Sequence, residues 1–324
     1  MHTEHSISRI AVVGSGYMGG GMAQCFILRG FDCVIADANE ELALQAHERL
    51  VDEAHTLEEE GLFPSGSTAL IRERLTPAAS IEDAVLDAHY IAEVVSESLA
   101  VKEEVLGRIS KAADPQAIIT SNTSAIPIAL LAQFLHGPER FLGAHWMNPA
   151  PFVPCVEVIP TALTSESATA AVERLLADLG KVTTRVSDVA GFVANRLQFA
   201  LFDEALRMVD EGVSTPEIID EVVSSSFGFR LPFFGPFAGA DMAGLDVYVG
   251  AYESLHNAYG DRYAVPPSLL ARVAEGQLGL KSGRGFTRIA EGDRDAIVRY
   301  RNRAYSALSR LRDQLGPCPE KSAE

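Results

Sequence analysis

The chain has 324 residues, of which 47% are hydrophobic, and its 44 acidic and 27 basic side chains give a formal net charge of −17. Its length predicts about two globular domains, and it has no run of about 18 apolar residues that could span a membrane. The negative charge opposes binding to nucleic acids and anionic membranes, so neither is expected as a partner. We expect a cytoplasmic protein, because the first residues lack the apolar core of a signal peptide and the four cysteines show neither metal-type nor redox-type spacing.

The first predicted elements are a strand, a glycine turn and a helix. Residues 9–13 read RIAVV, GSGYMGGG follows directly, and the apolar residues after it keep helical spacing up to Gly30. In this arrangement Gly14 permits the turn, Gly16 lets backbone amides approach a pyrophosphate, and Gly19 lets the helix pack closely on the strand. The pattern indicates dinucleotide binding; a glycine-rich turn without a ligand is the alternative.

The second predicted strand, residues 32–37 (DCVIAD), ends in an acidic residue. Asp37 lies about 20 residues beyond the glycines, where the dinucleotide fingerprint has the carboxylate that binds the adenosine ribose. A carboxylate there repels a 2′-phosphate, and residues 38–40 supply no cation. The sequence therefore predicts NAD rather than NADP.

The next elements continue the alternation of helices and strands. They are a helix at 39–60, a helical segment containing Arg72 and Arg74, a strand at 89–95, a helix at 101–113, a strand at 117–120, a helix at 165–179 and a strand at 182–186. Polar residues follow the strands at 89–95 and 117–120, and ligands bind at the carboxyl ends of strands in open parallel sheets. Ser124 belongs to the second of these groups, but it also precedes the helix-like AIPIALLAQFL, so a helix cap and a ligand contact are both open.

The stretch from Gly143 to Ile159, GAHWMNPAPFVPCVEVI, carries a histidine and a glutamate at the ends of two apolar runs. Three prolines lie between the runs, so the connection cannot be helical and is expected to double back. If the runs are neighbouring strands, Glu157 can reach His145 and hold its ring in one tautomer, as a general base requires. The alternative is a surface histidine and an unrelated strand glutamate.

The second half of the chain is predicted to be helical. Helices are expected at 195–209, 216–223, 245–259, 268–275 and 294–315, with FGFRLPFFGP at 227–236 as an irregular apolar loop. The arginine-rich face of the last helix is interpreted as a solvated surface, because the molecule as a whole is acidic. We predict an NAD-binding domain at residues 1–187 and a helical C-terminal domain at 188–324.

The chain resembles the 3-hydroxyacyl-CoA dehydrogenase family over nearly its whole length. The matching motifs are GSGYMGGG, SESLAVKEE, SNTSAIPI, GAHWMNPAP, VEVI, GFVANRL, GPFAGADMAGLD and GLKSGRGF. The resemblance implies a Rossmann-type doubly wound parallel sheet domain followed by an all-α domain that forms a homodimer.

The resemblance also implies residue roles. His145 is similar to the family's catalytic base, Glu157 to the carboxylate that orients it, and Ser124 and Asn195 to the hydrogen-bonding partners of the reacting oxygen. Cofactor binding is assigned to Gly14, Gly16, Tyr17, Met18, Gly19, Asp37, Glu97, Lys102 and Asn122. This chemistry needs no metal, since an oriented imidazole with neutral donors nearby can remove the hydroxyl proton.

The substrate is the least determined part of the prediction. Acyl-CoA users of the family hold the CoA phosphates with basic residues after the second strand, whereas this chain has no lysine or arginine between Arg49 and Arg72. The C-terminal half looks more like the branch acting on gulonate or carnitine. Trp146 and Asn148 are expected to line the substrate site, and Arg230 is a candidate carboxylate clamp, with a surface arginine as the alternative.

We therefore predict an NAD-dependent dehydrogenase acting on CH–OH groups, oxidising a small free 3-hydroxy acid or related alcohol to the 3-oxo compound. The first alternative is a short-chain 3-hydroxyacyl-CoA dehydrogenase, of the 3-hydroxybutyryl-CoA type. A non-catalytic NAD-binding structural protein is a remote alternative.

Overall fold

The computed structural model describes residues 7–290 and 293–318. The chain divides into two compact units, the first ending at Phe202 and the second beginning at Asp203. This division falls inside a helix, and the domain boundary between residues 187 and 188 stays a prediction.

The first unit is built on one sheet, which has eight strands among the residues that the structure describes. The strands are β1 (Arg9–Val13), β2 (Asp32–Ala36), β3 (Leu75–Pro77), β4 (Tyr90–Glu93), β5 (Ile118–Ser121), β6 (Phe141–Trp146), β7 (Cys155–Ile159) and β8 (Val182–Arg185). Their order across the sheet is β3-β2-β1-β4-β5-β6-β7-β8. All neighbouring pairs are parallel except β6 and β7, which are antiparallel because the proline-rich connection turns the chain back.

Helices cover both faces of this sheet. They are α1 (Tyr17–Ile27), α2 (Glu40–Glu59), α3 (Ser67–Arg74), α4 (Ile81–Val85), α5 (Leu99–Ala112), α6 (Ile128–Leu131) and α7 (Glu166–Asp178), and α8 (Ala194–Asp210) begins in this unit. Side chains alternate along a strand, so Ile10 and Val12 of β1 enter the core cluster formed with α1, α2 and α7. Ala11 and Val13 enter the other cluster, formed with α4, α5 and α6. The predicted Rossmann-type architecture is confirmed.

The five-residue helix α4 was not predicted, and two other elements of this unit also differ from the prediction. Strand β3 is missing from it, because three residues ending in Pro77 give almost no periodicity, and proline is tolerated here at the edge of the sheet. The helix expected over AIPIALLAQFL is only one turn, α6, because Pro127 disfavours a helical residue before it. Asp188 caps this turn by accepting bonds from Ile128 N (2.8 Å) and Ala129 N (2.7 Å), so Ser124 is not the cap.

The described part of the second unit is helical. After α8 it contains α9 (Pro216–Ser225), α10 (Phe227–Arg230), α11 (Pro236–Ala243), α12 (Leu245–Tyr259), α13 (Pro267–Ala274) and α14 (Asp293–Leu315). Thr215 caps α9 by accepting a bond from Ile218 N, as its position before Pro216 indicated. The expected irregular loop at 227–236 is partly wrong: it contains the single turn α10 and ends in Pro236, the first residue of α11.

A small core holds this unit together. Ala240, Leu245 and Leu269 are its buried members, and partly buried side chains such as Phe286 pack against them. Asp241 is 1% exposed and accepts bonds from Phe286 N (2.9 Å), Thr287 N (2.7 Å) and Thr287 Oγ1 (2.6 Å). This carboxylate therefore fixes the loop before α14 to helix α11.

Candidate active site

The turn between β1 and α1 has the geometry that a dinucleotide requires. Gly14 has φ of +108°, a conformation that favours glycine, and a Cβ at Gly19 would collide with the Gly14 carbonyl oxygen. A Cβ at Gly16 would meet nothing within 4 Å. The protein itself therefore does not crowd Gly16, and the open space over it lets a pyrophosphate approach the backbone amides of the helix start.

Asp37 follows β2 directly and faces this turn. Its Oδ2 accepts bonds from Ser15 N (2.7 Å) and Ser15 Oγ (2.5 Å), and its Oδ1 accepts one from Ala38 N (2.7 Å). Burial raises the pKa of the carboxyl, but the bonds from Ser15 and Ala38 outweigh it and hold the pKa below its ordinary value. Asp37 is therefore charged at neutral pH, as discrimination against a 2′-phosphate requires.

The turn and Asp37 line a cleft of about 430 Å³ at the carboxyl ends of β1, β2 and β4. Its other walls are formed by Ile81, by residues 94–96 after β4 and by the first turns of α5. This is the place where open α/β sheets bind nucleotides. Tyr17 is 64% exposed beside the turn, whereas Met18 is half-buried and packs against the core.

His145 and Glu157 are direct partners in the antiparallel pair β6–β7. The imidazole is 5% exposed, the glutamate is 3% exposed, and Nδ1 lies 2.8 Å from Oε2. The carboxylate can only accept, so Nδ1 carries the hydrogen and Nε2 keeps a free lone pair. The interpretation of His145 as a surface histidine is excluded.

The second oxygen of Glu157 is held by the start of helix α8. Val193 N and Ala194 N both donate to Oε1 at 3.0 Å. Phe192, with φ of +47° and a fully buried side chain, places its ring 5.6 Å from the imidazole. The spacing of the sequence did not predict these contacts, although they lie in the motif GFVANRL. The two amides fix the position of the carboxylate, which in turn fixes the imidazole.

Ser124, Asn195 and Glu97 are brought together beside β5. Asn195 Nδ2 donates to the Ser124 carbonyl oxygen (2.9 Å), and Ser124 N donates to Glu97 Oε1 (2.9 Å). Asn122 accepts a bond from Trp146 N (2.8 Å), which ties the loop after β5 to the end of β6. The loop that carries Ser124 is thus held from three sides.

Three other predicted residues differ in how far they are exposed. Lys102 is 1% exposed, and its Nζ is 2.7 Å from Glu93 Oε1 and 3.6 Å from Glu97 Oε2. The ammonium group is therefore buried below the loop that carries Ser124 and is not exposed on the surface of that loop. Asn148 is exposed after β6, and Arg230 is exposed at the end of α10 in the second unit.

Trp146 requires a correction. It follows His145 in the strand, so its side chain points to the opposite face of the sheet. The ring is 2% exposed and packs edge-on against Phe26, with ring centroids 5.7 Å apart. Lys181 Nζ lies 5.1 Å from the ring centroid. Trp146 is therefore a core residue, and its expected contact with substrate is not supported.

The glycine turn, the carboxylate after β2 and the open parallel sheet are features of a dinucleotide-binding domain, and with the family matches they identify an NAD-dependent dehydrogenase acting on CH–OH groups. Residues 9–189 match the model of the 3-hydroxyacyl-CoA dehydrogenase NAD-binding domain, and residues 191–289 match that of the 3-hydroxyacyl-CoA dehydrogenase C-terminal domain. The chain belongs to the 3-hydroxyacyl-CoA dehydrogenase family, and NAD is its cofactor.

Three relatives illustrate the range of the family. A probable 3-hydroxybutyryl-CoA dehydrogenase of Bacillus subtilis is 37% identical over 86% of this chain and 96% of its own length. The 5-formyl-3-hydroxy-2-methylpyridine 4-carboxylate 5-dehydrogenase of Mesorhizobium japonicum is 33% identical over 94% of this chain and 98% of its own. The crystal structure of the Archaeoglobus fulgidus 3-hydroxyacyl-CoA dehydrogenase is 28% identical, with a TM-score of 0.75 over 95% of this chain and 99% of its own.

No group of three or more histidine, cysteine, aspartate or glutamate side chains in the described part of the chain is placed to hold a metal ion. No described helix is both long and apolar enough to cross a membrane.

Proposed function

We propose that the protein oxidises the 3-hydroxyl of a short-chain 3-hydroxyacyl-CoA to the 3-oxo compound. The observation that carries the proposal is the buried contact between His145 Nδ1 and Glu157 Oε2, at 2.8 Å, in an NAD-dependent member of this family. Relatives named as 3-hydroxybutyryl-CoA dehydrogenases support the CoA ester over the free hydroxy acid that the sequence analysis preferred.

Each residue of the site has its own role in the proposed reaction. Bound NAD supplies the acceptor for the hydride. His145 Nε2 accepts the proton of the substrate hydroxyl, and Glu157 stabilises the imidazolium that forms. The amides of Val193 and Ala194 keep Glu157 in place. Ser124 and Asn195 are proposed to donate to the reacting oxygen, with Asn195 also holding the Ser124 backbone.

A free 3-hydroxy acid remains a second candidate because of the surface beside α2. A cavity of about 330 Å³ lies between α1, α2 and residues 149–152, and its lining, all of it within the described chain, includes Glu53 but no lysine or arginine. Arg49 is already bonded to Ser15 O (2.6 Å) and Glu53 (2.7 Å), and Arg74 is bonded to Gly30 O (2.6 Å). The Mesorhizobium relative, whose name gives a free pyridine carboxylate, also favours this candidate.

A substrate panel tests the proposal. NADH formation should be followed with 3-hydroxybutyryl-CoA and with 3-hydroxybutyrate, both at saturating NAD. We expect kcat/KM for the CoA ester to exceed that for the free acid by at least about 100-fold, since the remote CoA contacts contribute binding energy to the reaction. The reverse order would select the second candidate. If the protein binds NAD but turns over neither compound, the alternative of a non-catalytic NAD-binding structural protein is favoured.

We further propose that the protein is a homodimer. Helix α8 is amphipathic, yet none of its residues, all of which are described, is buried within one chain. Its exposed apolar side chains include Leu197, Phe199, Leu201 and Phe202. Large apolar side chains exposed in this number support contact with a second copy, and light scattering of the purified protein should give twice the chain mass. All four cysteines are free, which supports the proposed cytoplasmic location.

A further inference from the structure

A carboxylate outside the predicted site lies at the centre of a buried polar network. Glu93, the last residue of β4, is fully buried. It accepts bonds from Lys102 Nζ (2.7 Å), Ser121 Oγ (2.5 Å) and Val95 N (2.9 Å). A charge this deep is tolerated because it is paired and its oxygens are hydrogen-bonded.

One route from Glu93 runs through Lys102 to the loop that carries Ser124. Lys102 Nζ lies 3.6 Å from Glu97 Oε2. The other oxygen of Glu97 accepts bonds from Thr123 Oγ1 (2.6 Å), Ser124 N (2.9 Å) and Ala125 N (3.0 Å). The ammonium thus links a fully buried carboxylate to the carboxylate that holds this loop.

A second route reaches the same loop through the sheet. Ser121, at the end of β5, donates its hydroxyl to Glu93 and accepts a bond from Thr123 N (3.3 Å). Both routes begin at Glu93 and end within the three residues 123–125. Apolar side chains of similar size could fill the space at least as stably, but they could not fix the direction of these bonds.

We infer that Glu93 is a positioning residue for the reaction, acting through Lys102, Glu97 and Ser121 on the backbone of Ser124. The effect on catalysis rests on the proposed function, whereas the effect on the loop does not. Glu93 itself is buried in the sheet and is not proposed to touch substrate or cofactor.

The test compares Glu93→Gln with Tyr90→Phe. Tyr90 lies on the same strand, is equally buried, and accepts a bond from Thr120 Oγ1 (2.8 Å), with no side-chain hydrogen bond to residues 123–125. Both variants lose a buried polar contact between β4 and β5, so both should lower the melting temperature. Only Glu93→Gln should speed amide hydrogen exchange at Ser124 and Ala125, by about tenfold or more.

The activity measurement separates positioning from folding. We expect Glu93→Gln to lower kcat by about tenfold or more while changing KM for NAD much less, because misplacing a group near the reacting atoms costs rate. Tyr90→Phe should keep kcat. If Glu93→Gln does not fold, Glu93→Gln/Lys102→Met replaces it, since that pair leaves no buried charge unpaired.

Two results would overturn the inference. If amide hydrogen exchange at Ser124 and Ala125 is as slow in Glu93→Gln as in the wild type, Glu93 does not hold the loop at residues 123–125. Faster exchange with unchanged kcat would show that the network holds the loop without serving the reaction. A wild type inactive on 3-hydroxybutyryl-CoA would instead contradict the proposed function, and the exchange measurement would still decide whether Glu93 positions the loop.

Discussion

Glu157 receives hydrogen bonds on both oxygens, and these bonds can hold His145 for the proton transfer that we propose. Oε2 takes the imidazole, while Oε1 takes two amides at the start of α8. The carboxylate cannot rotate without losing one set of bonds. The imidazole therefore keeps one tautomer, with Nε2 available to a substrate.

Asp37 is the residue expected to decide between the two nicotinamide cofactors. Asp37→Ala removes the carboxylate that we expect to face the ribose, and it frees Ser15. We expect the ratio of kcat/KM for NAD to that for NADP to fall by about 10- to 100-fold, since a single repulsive contact sets this discrimination. Initial rates with both cofactors measure the ratio. Asp32→Ala, an exposed carboxylate at the other end of β2, is the control, and an unchanged ratio in Asp37→Ala would contradict the assignment.

At the scale of elements, Glu58 at the end of α2 holds the start of α3. The Thr68 hydroxyl, Thr68 N and Gly66 N donate to it and lower its pKa from 4.5 to about 2. Since the folded value lies below the unfolded one, the stabilisation is complete above about pH 4.5 and is lost as the pH falls towards 2. Glu58→Gln should thus lower the melting temperature at pH 7, with a difference from wild type that narrows below pH 4.5.

Thermal unfolding between pH 7 and pH 3 checks this prediction. Glu60→Gln, an exposed change one residue beyond the helix, is the control and should show no such narrowing. A Glu58→Gln difference that stays constant across the range would mean that the carboxylate does not cap α3.

Asp241 has the corresponding task in the second unit, between α11 and the loop before α14. Asp241→Ala leaves two amides without their buried acceptor, and a bond to a charged group contributes more than a neutral one. We expect a loss of about 2–4 kcal/mol in unfolding free energy, measured by urea denaturation. Asp246→Ala breaks an exposed pair with Lys281 and should have little effect. Equal losses in the two variants would contradict the anchoring role.

Short-range patterns predicted most of these elements, because their causes lie within a few residues. The glycine turn, the cap at Thr215 and the doubling back before β7 are of this kind. Trp146 was expected to contact substrate because it is next to His145 in the sequence. Strand alternation, however, places the two side chains on opposite faces of the sheet. Glu93 gave no local signal: its partners Lys102 and Ser121 lie 9 and 28 residues away, and only the fold brings them to it.

At the scale of the whole molecule, the net charge of −17 should affect how a CoA ester arrives. CoA carries several negative charges, so the field of the protein slows its approach, and salt screens that repulsion. We expect kcat/KM for 3-hydroxybutyryl-CoA to rise about two- to fivefold between roughly 10 and 150 mM ionic strength. The same series with 3-hydroxybutyrate should change less. A fall with added salt would instead reveal a local basic surface that attracts CoA.

The central claim is that His145, oriented by Glu157, is the base for oxidation of a 3-hydroxyacyl-CoA. The most direct measurement is kcat for NADH formation from 3-hydroxybutyryl-CoA in His145→Gln, beside the wild type and the exposed control His136→Gln. Loss of a positioned base should lower kcat by about 10²- to 10⁴-fold, with the dissociation constant for NADH nearly unchanged. His136→Gln should match the wild type. A His145→Gln enzyme that keeps wild-type kcat would contradict the claim.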